Sequence, residues 1–467
     1  MKKSIKYILL LILAIVVFEL GNYGYGMITI AAGYNAKTLC SCVFVSGRTE
    51  ESVLSQDIAV SAASFIGGAI DRADQSATAS FLGISRKAVF RPGVGCTLVS
   101  EIDEDVLRNQ QVGLWPPNTA PADPHKPWPY GSGDSISAPV AQIDLSKIDA
   151  AFDYAFDEPE PDNPRYTRAA LVIHKGQIIK EQYGEGFDED TPLIGWSMTK
   201  SVTNAMVGIR VRDGLLSLDA PADVPQWHHK SDDPRAAIRL RDLMDMTSGL
   251  DFVEDYSKPS TVNKMLWTKP SAAAIAEADP LAHPVNTHWY YSSGTTNIIQ
   301  EIIRRSFEDL HQYQVFPYRE LFAPLGMNSA VMEVDASGTF VGSSLMYATA
   351  RDWAKFGLLY LNDGVWDGQR ILPEGWVAYS QERTPVLEDG FYGAQFWKNA
   401  YSEPAGSVTP RHWPGVPQDA YYASGFEGQQ VVIIPSLDMV VVRLGCTSDR
   451  TNWDPGKFLA LISEAVH

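Results

Sequence analysis

The stretch GWSMTKSVTNAMVGIRVRDG, residues 195–214, decides how the rest of the chain is read. Met198, Val202, Ala205, Met206, Ile209 and Val211 recur at helical spacing, which predicts a mostly buried helix. Gly214 stands where a cap glycine ends such a helix. Ser197 then falls at or beside the helix start, and Lys200, three residues on, shares its face at about 5–6 Å between Cβ atoms. A helix N-terminus carries partial positive charge and unpaired N–H groups, which favour an alkoxide on Ser197 and can hold an oxyanion. A lysine amine kept from water has a depressed pKa and can take the serine's proton. Alone, Ser-x-x-Lys reads more simply as an N-cap serine followed by a surface lysine. The apolar setting shifts that balance, because a buried unpaired lysine is costly.

Two further segments carry chemistry-bearing residues. WYYSSG (289–294) precedes the helical pattern TTNIIQEIIRR, so Tyr291 sits in a loop just before a helix. Its hydroxyl is a candidate proton relay, although a single tyrosine is more commonly a core aromatic. YYASGFEGQ (421–429) leads into the strand-like QVVII, and its glycines would let a sheet edge approach a substrate and supply an oxyanion N–H. A plain turn or bulge explains the same glycines equally well.

Around these segments the pattern alternates in kind. AALVIH (169–174) and QIIKE (177–181) flank Lys175-Gly176 and predict a hairpin. A second strand pair is expected at 430–434 and 439–444, and helices at 143–156, 295–306, 349–361 and 455–466. Strands near both ends with helices between them imply an α+β fold: an antiparallel sheet flanked by helices, plus an all-helical subdomain.

The 467 residues are 45% hydrophobic and carry a formal net charge of -18, which disfavours binding to phosphate backbones. Lys2, Lys3 and Lys6 precede an apolar run over 8–18, the order of an export signal. Residues 1–36 therefore read as a signal peptide or an N-terminal membrane anchor, placing the protein in the periplasm or on the inner membrane facing it. Residues 37–135 read as an N-terminal extension closing on the proline-rich connector WPPNTAPADPHKPWPY (115–130), and residues 136–467 as the main domain. Cys40 or Cys42 can pair with Cys96 in an oxidising compartment, with buried free thiols the equal alternative. His228-His229, and His283 with His288, lack the spacing of a zinc site, and no Gly-x-Ser-x-Gly elbow occurs.

Taken in order, several motifs resemble the β-lactamase-related serine hydrolases: class C-type β-lactamases, D-alanyl-D-alanine peptidases, family VIII carboxylesterases and nylon-oligomer hydrolases. They are SMTK (197–200), DGLLSLDAP (213–221), LRDLMDMTSGL (240–250), YYSSGTTN (290–297), LFAPLGM (321–327), ATARDWAKFGLLYLNDGVWDGQRILPEGW (348–376) and SGFEGQ (424–429). The resemblance covers roughly residues 169–466. It implies a β-lactamase/penicillin-binding-protein-like fold, with Ser197 as acylated nucleophile, Lys200 as general base and Tyr291 as second acid/base. It implies neither metal nor organic cofactor.

Two departures bear on the substrate. Ser293 stands where the lactamase and peptidase pattern has Asn, and Lys-Thr-Gly or His-Thr-Gly is missing around Ser424 and Gly425. These residues, with Trp397 of the aromatic stretch GFYGAQFW (390–397), are the expected oxyanion or substrate contacts. The pattern favours an esterase or amidase acting on small esters or amides, similar to the nylon-oligomer hydrolases. A β-lactamase or D-Ala-D-Ala peptidase is the first alternative, and a non-catalytic envelope binding module the second.

Overall fold

The computed structural model describes residues 2–110, 112–113, 125–131, 143–160, 162–384, 386–387, 390–399, 412–447 and 450–466. Most of the proline-rich connector, at 114–124, lies outside them. The expected hairpin forms: Thr167–His174 pairs antiparallel with Gln177–Tyr183 across the two-residue turn Lys175-Gly176. The late strand pair forms too, as Gln429–Ile434 and Met439–Gly445. Both sets join one six-stranded antiparallel sheet. Its order is Trp397–Lys398, Tyr421–Gly425, Gln429–Ile434, Met439–Gly445, Thr167–His174, Gln177–Tyr183. Every position of Gln429–Ile434 and Met439–Gly445 is buried, as their near-continuous Val and Ile content demands of central strands covered on both faces.

One face of this sheet is covered by the helices Leu145–Phe156 and Pro455–Ser463, whose Ile148, Phe152, Phe458 and Ile462 pack on Val432, Val441 and Trp453. The other face receives Ala350–Leu361, followed by the helical section that includes Thr199–Arg212 and Ser293–Arg305. Thr199–Arg212 is buried from Thr199 to Arg210. Gly214, at φ +70, closes it: Leu215 N–H donates to Arg210 O and Gly214 N–H to Val211 O, the paired bonds of a left-handed cap. Strands from both ends of the domain with helices between them give the α+β architecture expected.

The N-terminal section holds more structure than its sequence suggests. A single helix runs Lys2–Phe44, so the boundary drawn at 36/37 falls inside it. Ile30, Ala32, Ala36, Leu39 and Val43 are buried and share the main core with Val202 and Met198. A four-stranded antiparallel sheet, Gly67–Asp71, Ser76–Phe81, Ile84–Arg91 and Gly95–Leu98, lies on this helix. Among the described residues no helix is long and apolar enough to cross a membrane.

Of the two pairings the sequence left open, the disulfide Cys40–Cys96 forms, and Cys42 and Cys446 stay free and buried. It closes a loop spanning 56 positions. Replacing either cysteine by serine is expected to lower unfolding stability by about 3 kcal/mol, read from urea melts without reductant. A change below about 0.5 kcal/mol would mean that the surrounding packing holds the helix without the cross-link.

Candidate active site

The short strand Leu193–Ile194 pairs with Met346–Ala348, and Gly195 N–H donates to Met346 O at 2.8 Å. The chain then turns through Trp196–Met198 into the helix Thr199–Arg212. Trp196 adopts φ +46, a left-handed conformation that costs a bulky side chain about 1–2 kcal/mol. Its indole is correspondingly well held. Nε1 donates to Glu427 at 3.2 Å, and the ring packs near Tyr34, Trp267 and Phe426 at centroid distances of 6.4, 6.4 and 5.8 Å. Ser197 follows directly, half-buried, just ahead of the helix.

Lys200 is only 1% exposed. Its Nζ lies 3.1 Å from Ser197 Oγ, 3.0 Å from Ser293 Oγ and 3.0 Å from Ser343 O. The Ser343 carbonyl is fixed by Asn297, whose amide donates to Ser343 Oγ at 3.1 Å and accepts from Ser343 N–H at 3.3 Å. Burial pushes the Lys200 amine down to about 8, and the carboxylate of Glu254 opposes that shift.

Tyr291 lies just ahead of the helix Ser293–Arg305, which Ser292 caps by accepting Thr295 N–H at 3.1 Å. The Tyr291 ring sits 4.7 Å from Lys200 Nζ, on the Ser197 side of the amine. Burial and the nearby Glu254 carboxylate hold this phenol well above its ordinary pKa, so it is a neutral hydrogen-bond donor. Ser197, Lys200 and Tyr291 are thus brought together from two separate helix starts.

The four expected contact residues divide. The Trp397 ring stands 5.3 Å from that of Tyr291 and continues into a wall of Trp289, Phe391 and Tyr392. Gly425 touches the Ser197 turn: a Cβ there would lie 2.2 Å from Gly195 O, so a side chain would force the strand away. Trp397–Lys398 pairs only with Tyr421 and Tyr422, leaving Ser424 and Gly425 at a sheet edge on that side among the described residues. Ser293 differs from expectation. It is fully buried, and its hydroxyl accepts from Lys200 and donates to Glu254 Oε1 at 2.6 Å, so it stands behind the lysine instead of facing a substrate.

Three partners were not foreseen: Glu254, the Ser343 carbonyl and Glu427. Glu254 lies in the loop sequence DFVED, and Ser343 enters through its backbone, which no residue-type pattern reveals. Among the described residues no group of His, Cys, Asp and Glu could hold a metal ion.

Comparison with known proteins places the fold in a family. The beta-lactamase family profile matches residues 162–456. A 6-aminohexanoate-dimer hydrolase of Paenarthrobacter ureafaciens is 25% identical over 304 residues, covering 61% of this chain and 73% of the relative. Two solved structures share the fold. EstCE1, described as a hydrolase with promiscuous acyltransferase activity, gives a TM-score of 0.54 at 15% identity, covering 69% of this chain and 98% of its own. A family VIII carboxylesterase gives 0.52 at 15% identity, covering 69% and 97%.

Proposed function

The chain belongs to the beta-lactamase family, a serine hydrolase family, and from that premise we propose that it hydrolyses small esters or amides through an acyl-enzyme on Ser197. The observation that carries this reading is the buried Lys200 amine, lowered to about 8 and 3.1 Å from Ser197 Oγ. In its neutral form the amine takes the Ser197 proton as Oγ adds to the substrate carbonyl. The oxyanion is held by N–H groups at the start of Thr199–Arg212 and from the sheet edge at 424–426. Tyr291, a neutral donor on the Ser197 side of the amine, passes a proton to the departing alcohol or amine. Water then attacks the acyl-enzyme by the same groups in reverse.

The substrate class rests on what lines the site. Trp397 and its aromatic neighbours offer an apolar wall, and among the described residues no Lys or His occupies the sheet edge at Ser424 and Gly425 to take a substrate carboxylate. The similarity to a 6-aminohexanoate-dimer hydrolase adds amides of that kind to the candidates. Export to the periplasm remains part of the proposal, resting on the lysines and apolar run at the N-terminus.

The test joins covalent labelling to turnover. The purified protein is treated with a fluorophosphonate probe, the modified peptide is identified by mass, and p-nitrophenyl acetate, the linear 6-aminohexanoate dimer and nitrocefin are assayed in parallel. The expected result is a label on Ser197 with ester or amide turnover. Turnover of nitrocefin alone would move the assignment to the lactam branch, and a folded protein that neither labels nor turns over would overturn the acyl-enzyme.

A further inference from the structure

We propose that Glu254 is a positioning residue which, through the hydroxyl of Ser293, aims the Lys200 amine at Ser197. The inference rests on the acyl-enzyme reading and concerns how its base is oriented.

The argument is a count of hydrogens. A serine hydroxyl has one hydrogen to give. Ser293 gives it to Glu254 Oε1 at 2.6 Å, while the Ser293 N–H donates to Oε2 at 2.8 Å. The Tyr256 hydroxyl also donates to Oε1, at 2.8 Å. Three donors converge on an acceptor-only group, and Glu254 is held in turn because its own N–H donates to the Tyr290 hydroxyl at 3.1 Å. Ser293 Oγ therefore has only lone pairs to offer Lys200 Nζ at 3.0 Å. The Ser343 carbonyl, also at 3.0 Å, can only accept.

A neutral lysine amine has two hydrogens and one lone pair. With both hydrogens committed to these fixed acceptors, the lone pair is left for the third neighbour, Ser197 Oγ at 3.1 Å. When Oγ bonds to the substrate carbonyl carbon, its O–H bond breaks and the proton joins that lone pair. The resulting ammonium then has three hydrogens for three acceptors. Were the Ser293 hydrogen free to turn towards Lys200, it would occupy the lone pair and remove the base. The Glu254 carboxylate prevents that turn.

The test uses the full chain with Glu254→Gln, Ser293→Ala and the double variant. Two quantities are read: the pre-steady-state acylation rate with p-nitrophenyl acetate from pH 6 to 10, and the titration of Lys200 by NMR of ¹³Cε-labelled lysine, assigned by its loss in Lys200→Met. Each single variant should lower the high-pH plateau rate about 10- to 100-fold. The double variant should lose no more than the worse single one, because both changes break one device. In Glu254→Gln the Lys200 titration should also move to lower pH, since the carboxylate favours the ammonium. A plateau within twofold of wild type, losses that multiply in the double variant, or an unmoved Lys200 titration would each overturn the proposal. A wild type without Ser197-dependent turnover would sink the acyl-enzyme reading separately, and the lysine titration would still decide whether Glu254 governs the amine.

Discussion

Lys200→Met is expected to slow acylation about a thousandfold or more while leaving the protein at least as stable at neutral pH. The two halves of this expectation share one cause. Lys200 is sealed from water, and burial lowers its amine from 10.5 to about 8. Below that pH the folded protein carries a buried ammonium that the unfolded chain would hydrate freely. Between pH 8 and 10.5 the unfolded chain keeps a proton that the folded one has released, so wild-type stability rises with pH across this window. Methionine has similar bulk and no charge, so its advantage should be largest below pH 8 and shrink towards 10.5. The wild-type acylation rate should run the other way, falling about tenfold per pH unit below 8 as the base is protonated. Urea melts at pH 7 and 10, with acylation profiles on the same preparations, check both. Rapid acylation by Lys200→Met would remove the lysine from the mechanism, and a large loss of stability at pH 7 would make it a structural residue.

How far the sequence could be read follows a physical division. Patterns that repeat along the chain were legible: the alternation around Lys175-Gly176, the Val- and Ile-rich strands after residue 429, and the apolar spacing of 198–211 all gave elements close to those observed. Ser197, Lys200 and Tyr291 were legible because motif order carries them, and they do converge. Hydrogen-bond direction was not legible. Ser293 was expected at the substrate, yet whether a serine hydroxyl faces a ligand or a buried lysine depends on Glu254, which sits 39 positions away in an aperiodic loop. The N-terminal section was obscure for a different reason. Strands such as GGAID and SATASF are rich in Gly, Ala and Ser, and their small residues suit close packing on a helix without raising the usual β-branched signal. The helix beneath them opens with the lysines and apolar run of an export signal, so its buried part, from Ile30 onward, divides in sequence between a signal or anchor ending at 36 and an N-terminal extension beginning at 37.

That buried half is the ground for the second large expectation: Glu333→Ala should destabilise the protein by about 4 kcal/mol. The Glu333 side chain is wholly buried and pairs with Lys37 of the N-terminal helix. It also accepts from Ser41 Oγ at 2.8 Å and from Cys96 N–H at 2.7 Å, joining that helix, the four-stranded sheet and the main domain at one carboxylate. Removing it takes the acceptor from a buried hydroxyl and a backbone N–H and leaves the Lys37 ammonium with Ser41 Oγ, at 3.0 Å, but no counter-charge there, which is the costliest of these losses. Burial already holds Lys37 below its ordinary pKa, with Glu333 opposing, so the lone lysine can shed its proton and recover part of the loss. The double variant Lys37→Met with Glu333→Met should therefore be markedly more stable than Glu333→Ala, since an apolar pair can replace a buried ion pair but not half of one. Urea melts of the three proteins check the ordering, and a loss below about 1 kcal/mol in Glu333→Ala would show that the helix is not anchored there. The consequence reaches the active site. Tyr34, on the same helix, stacks at 6.4 Å on Trp196, the strained residue next to Ser197. Loosening the helix removes one of the packed walls that hold Trp196 at φ +46. Acylation by Glu333→Ala should accordingly fail on heating before the main sheet unfolds, with activity lost at a lower temperature than far-ultraviolet circular dichroism.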